Sequence, residues 1–103
     1  MKYEVNKDYT AALMEQRELQ EPRLYQVVVH NDDFTPMEFV VSMLEKLFYL
    51  DRRKAIAIML EAHLKGRAGC GMFTREIAET KIIEVSQQAK KYDYPLMCSM
   101  ETA

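Results

Sequence analysis

No apolar run in the 103-residue sequence approaches the length of a membrane-spanning helix. Positive charge is not in excess either: 14 Lys and Arg stand against 16 Asp and Glu, a formal charge of −2. That balance argues against a nucleic-acid binder, which needs a basic face to neutralise phosphates. Cysteine is scarce. Cys70 and Cys98 are far apart and form no CxxC pair, so the paired ligands of a zinc site are missing. They read as two reduced core thiols. Met1 to Ala12 mixes polar and charged residues and does not read as a secretory signal. Repeats and low-complexity segments are absent. What is left is a cytoplasmic protein of one domain, without membrane, nucleic-acid, cofactor or metal partners. With 49% hydrophobic residues, the chain can build a single core.

Residues 1–23 carry scattered charge and no apolar period, and read as a flexible N-terminal extension. Residues 24–103 form the core domain. Leu24 to Val29 is rich in β-branched and aromatic residues and predicts a strand. His30-Asn31-Asp32-Asp33-Phe34 breaks it, since Asn and Asp bond locally to backbone. Thr35-Pro36-Met37-Glu38 then predicts a helix start, with Thr35 as N-cap and Glu38 closing a capping box. That helix runs to about Phe48. Asp51 predicts the cap of a second helix that stops near Gly66. Ala68 to Phe73 predicts a strand whose Gly69 and Gly71 imply a close neighbour. Thr74 caps a third helix that fades near Tyr92, and a last strand covers Leu96 to Met100. The order βααβαβ gives an α+β two-layer sandwich, a three-stranded antiparallel sheet with three helices on one face.

Two helix faces carry the candidate chemistry. Met59, Ala62 and His63 share one side of the second helix, and Met37 and Val40 share one side of the first, beside the Asn31–Asp33 turn. If the two helices pair, an apolar pocket gains a rim of Asn31, Asp33 and His63. All three side chains are hydrogen-bond acceptors, and a protonated α-amine has three donors and no acceptor. An acetylated amine loses that charge and leaves the acceptors unpaired. An imidazole that takes up a proton stops accepting, so such binding weakens as pH falls. Taken one at a time, the same residues also suit simple turn chemistry, a core stripe and a structural histidine.

Val29-His30-Asn31-Asp32-Asp33-Phe34-Thr35-Pro36-Met37-Glu38-Phe39-Val40 closely resembles the signature of ClpS, the bacterial adaptor of the N-degron pathway. The likeness continues through Met59-Leu60-Glu61-Ala62-His63, Cys70-Gly71-Met72-Phe73-Thr74, Ala78-Glu79-Thr80-Lys81 and Tyr94-Pro95-Leu96-Met97-Cys98. The resemblance implies a fold like the C-terminal domain of the ribosomal stalk protein. It also implies a non-enzymatic adaptor that binds substrates beginning with Leu, Phe, Tyr or Trp and delivers them to the ClpA unfoldase of the ClpAP protease, modulating its substrate choice. Asn31, Asp33 and His63 match the α-amino ligands, and Met37, Val40, Met59 and Leu96 match the side-chain pocket. Ala62 stands in that pocket where the family often has Val. Met37 also matches a gate against β-branched first residues. Glu76 and Lys81 match positions facing the ClpA N-terminal domain. Phe34 replaces a common Tyr.

Two other readings compete with the adaptor. A metal-dependent hydrolase would use Asp32, Asp33 and His63. A stalk-like factor-binding domain would need none of the acceptor trio.

Overall fold

Leu24–His30 is extended because Val27, Val28 and Val29 carry branched side chains that fit a pleated surface. The computed structural model describes residues 23–103, and this strand, β1, is their central element. The extension expected over residues 1–23 lies, apart from Arg23, outside the described residues. After β1 come α1 (Met37–Phe48), α2 (Arg52–Lys65), β2 (Arg67–Thr74), α3 (Arg75–Lys91) and β3 (Met97–Thr102). The sheet order is β2-β1-β3, antiparallel throughout. This is the expected βααβαβ sandwich. No helix among the described residues is long and apolar enough to cross a membrane.

The helices cover one face. α3 packs on all three strands, α2 on β2, and α1 mainly on α2 and α3. Val27, Val29, Val41, Leu44, Ala55, Ala78 and Val85 form the centre of the core. On the opposite face, Arg67 reaches across β1 to Glu101 at 2.6 Å. Register places these two beside His30 and Gln26, so their bridge passes over Val28. A half-exposed pair of this kind contributes at most about 1 kcal/mol.

Helix α2 is bounded as the sequence predicts. Asp51 Oδ1 accepts from the Lys54 N–H at 2.8 Å, and Gly66 closes the helix at φ +89°. The capping box at α1 does not form. The N-cap position falls on Pro36, which has no side-chain acceptor, and Thr35 stands one residue outside the helix, giving its N–H to the Asp32 carboxylate at 2.7 Å and its hydroxyl hydrogen at 2.8 Å. Glu38 turns instead to Arg52 on α2, at 3.1 Å. Thr74 does occupy the N-cap of α3, but its side chain makes no capping bond.

The other end of α1 closes without glycine. Tyr49 adopts the left-handed conformation, φ 55° and ψ 33°, and its N–H and that of Leu50 both bond the Leu44 carbonyl. Glycine is the usual occupant of a left-handed helix end, and here a bulky aromatic residue takes its place.

β2 is one residue out of step with simple alternation. Pairing passes from Val27–Gly71 to Val28–Gly69, so Cys70 is the extra residue of a bulge. The slip returns Phe73 to the core and turns Met72 outward. Gly71 sits in the bulge at φ +149°, where a Cβ would stand 3.1 Å from the Phe73 ring. The close neighbour of Gly69 is the Gln26 side chain. Cys70 and Cys98 are free and buried. The adjacent Cys70 sulfur, and then burial, push the Cys98 thiol strongly up, so it stays protonated.

Candidate functional site

All three sheet strands turn at the same end of the domain near Asn31. His30 of β1 stands between Arg67, the first residue of β2, and Met97, the first of β3. The Asn31 N–H donates to the Gly66 carbonyl at 2.9 Å. That bond ties the exit of β1 to the end of α2. His63 lies three residues before Gly66, in the last turn of α2, about 4.5 Å back along the axis. The backbones of Asn31 and His63, 32 positions apart in the chain, therefore lie at the same end of the fold. Asp33 follows in the connecting turn. All three are exposed, and none is held in an ion pair among the described residues.

Asp32 closes this turn. Its carboxylate accepts from the Phe34 N–H at 2.8 Å as well as from both Thr35 donors. Partial burial works against its charge, but the three hydrogen bonds together outweigh that and hold the carboxyl below its usual range. The sign follows directly. The folded state favours the ionised form, so the stabilisation is fully present above the unfolded value of about 3.9 and is lost as pH falls through the folded one. Asp32→Asn is expected to cost about 1–2 kcal/mol at neutral pH. Urea unfolding at pH 7 and pH 3 should show the gap between wild type and variant narrowing in acid. An equal gap at both would remove this role.

The apolar residues predicted beside the trio separate into two groups. Val40, Ala62 and Leu96 are buried members of the core, and Met59 is partly buried against it. Met37, the first residue of α1, is 48% exposed. Core and surface thus meet at the two methionines, whose flexible thioether chains adapt to what they touch. A cavity of about 280 Å³ lies elsewhere, between α1 and α3, walled by Phe39, Met43, Leu47 and Tyr92. Nothing in the sequence pattern signalled it.

Glu76 and Lys81 lie away from the trio. Glu76 is in the first turn of α3, which follows Thr74, and Thr74 pairs with Leu24 at the opposite end of the sheet from Asn31. The Lys81 ammonium donates to the Leu47 carbonyl at the end of α1 and stands 4.9 Å from the Tyr49 ring centroid. Among the described residues no three His, Cys, Asp or Glu side chains are placed to hold a metal ion, so Asp32, Asp33 and His63 do not form a ligand set. The turn role read for Asp32 in the sequence agrees with its three hydrogen bonds.

Known proteins agree with this architecture. Residues 20–99 match the model of the family described as ATP-dependent Clp protease adaptor protein ClpS. A solved structure, Agrobacterium tumefaciens ClpS2 bound to L-phenylalaninamide, is 38% identical, with a TM-score of 0.77. The match covers 80% of this chain and 99% of that one. The fold, the order of its elements and the family match lead to one assignment: the chain belongs to the ClpS family of Clp protease adaptors.

Proposed function

We propose that this chain captures proteins by a free α-amino group beside a bulky hydrophobic first residue (Leu, Phe, Tyr or Trp). It delivers them to the ClpA unfoldase of the ClpAP protease in the cytoplasm, modulating substrate choice and catalysing nothing itself. The ligand of the Agrobacterium relative carries the reading. L-Phenylalaninamide has a free α-amine and an aromatic side chain, and its amide stands in for the continuing chain. It is a one-residue copy of a protein's N-terminus. This chain presents the matching chemistry: Asn31, Asp33 and His63 as acceptors for the ammonium, with apolar residues beside them.

Met37 and Met59 act as the movable walls of the side-chain pocket, with Val40, Ala62 and Leu96 behind them. Ala62 removes two methyl groups relative to Val and leaves more room there. A charge-assisted hydrogen bond contributes about 1.5–3 kcal/mol, and a buried Leu or Phe side chain a similar amount. After association costs, micromolar affinity follows. The residues that face ClpA are Glu76 and Lys81.

Matched peptides test the capture step. Fluorescence anisotropy should show micromolar binding of a peptide with free N-terminal Leu or Phe, and at least tenfold weaker binding of its acetylated copy. Equal binding of the two forms would remove the acceptor role. Delivery is tested separately, by degradation of a Leu-initiated reporter with ClpA and ClpP. Stimulation by the full chain is the expected result, and an unchanged rate would sink the delivery claim.

A further inference from the structure

Tyr49 occupies a costly backbone conformation although little of its side chain is buried. A bulky residue at positive φ is an outlier, and glycine is the usual occupant of this helix-closing position. Glycine there would keep both backbone bonds to the Leu44 carbonyl. The Tyr49 ring is nonetheless 84% exposed. The Lys81 ammonium stands over the ring, 4.9 Å from its centroid. Strain kept at an exposed aromatic side chain, where the fold gains little, points to a role outside the fold.

The surroundings suggest what that role is. Lys81 is held in place by its bond to the Leu47 carbonyl. Ile77 stands one turn before Lys81 on the same side of α3 and is half exposed. Glu76 is next to it. An aromatic ring, an aliphatic side chain, an ammonium with donors to spare and a carboxylate thus share the end of the domain away from Asn31 and His63. Tyrosine is enriched among the residues that dominate protein interfaces, and a ring already seated on a cation loses less freedom on docking.

We propose that Tyr49 is an anchor of the unfoldase-facing surface. Its ring packs against an apolar shelf on the Clp unfoldase, beside a carboxylate that meets the Lys81 ammonium. This rests on the reading of Glu76 and Lys81 given above.

The test uses the full chain and assembled ClpA. Tyr49→Gly suits the left-handed position, so its urea midpoint should equal or exceed that of wild type. Its affinity for ClpA should fall at least tenfold, with N-terminal Phe peptide binding unchanged. Tyr49→Phe should retain most of the affinity. If Glu76→Arg weakens ClpA binding and Tyr49→Gly does not, the inference is overturned while the delivery reading stands. If the wild-type chain does not bind ClpA, both are overturned. Self-association that Tyr49→Gly abolishes, with ClpA affinity intact, would assign the ring to a second copy and overturn it as well.

Discussion

Alanine at Asn31 or at His63 is expected to weaken binding of a free N-terminal Leu or Phe peptide by about ten- to a hundredfold, with little change in stability. Each substitution removes one acceptor from a cationic amine, a loss of about 1.5–3 kcal/mol, and 1.4 kcal/mol is a factor of ten. The fold should not notice. The tie from position 31 to Gly66 is a backbone N–H, which alanine keeps, and both side chains are exposed. Surface changes of that kind stay within about 0.5 kcal/mol. Because the two acceptors share one ammonium, the double variant should lose less than the product of the single effects. Anisotropy with urea unfolding as the control measures all three. A drop below twofold in both single variants, at unchanged stability, would mean that these side chains are not the ligands.

Leu44→Ala is expected to be the most damaging single truncation of the core. Leu44 has no exposed surface and is the largest of the fully buried side chains. Its carbonyl also accepts the two bonds that close α1. A buried Leu→Ala change costs about 2–5 kcal/mol, depending on how far the cavity collapses. A domain of this size has only about 4–12 kcal/mol in total. The urea midpoint should fall sharply at an unchanged slope. Peptide binding below the midpoint should survive, because the Asn31 turn and the end of α2 lie elsewhere. A shift under 1 kcal/mol would show that the α1 packing is looser than described.

Much of the fold was legible because local signals and the apolar pattern agreed. Asp51 and Gly66 bracket α2 for reasons that any reader of the sequence can give. The failures have specific physical causes. At Thr35 a cap was expected, but the helix begins at Met37 with Pro36 at its N-cap, and Thr35 belongs instead to the turn that the Asp32 carboxylate closes. Glu38 was diverted by Arg52, 14 positions away, a contact that only folding creates. The second strand gained Arg67 and Thr74 because pairing with β1 continues beyond its apolar run, across a bulge that alternation does not reveal. The last strand starts at Met97 and runs to Thr102, leaving Leu96 as a core residue just before it.

The candidate site was less legible. Helical spacing put Met59, Ala62 and His63 together, and Met37 with Val40. Nothing local joins Asn31 to His63, and the sequence brought them together only through an assumed pairing of the two helices and through the family resemblance. The physical link is a single backbone hydrogen bond between the exit of β1 and Gly66. Tyr49 gave no signal at all, because a left-handed helix end is read from glycine and none is present.

The antiparallel sheet has a thermodynamic corollary. β1 runs seven residues from Leu24 to His30, roughly 24 Å when extended, with the acceptor turn beyond one end and the start of α3 beyond the other. On the proposed reading, the two sites are that far apart on one packed unit and share no residue. Unless the domain itself deforms, occupancy of either site leaves the free energy of the other unchanged. On the proposed function, cargo and machine would then load in any order, with the ternary complex the simple product of two independent equilibria.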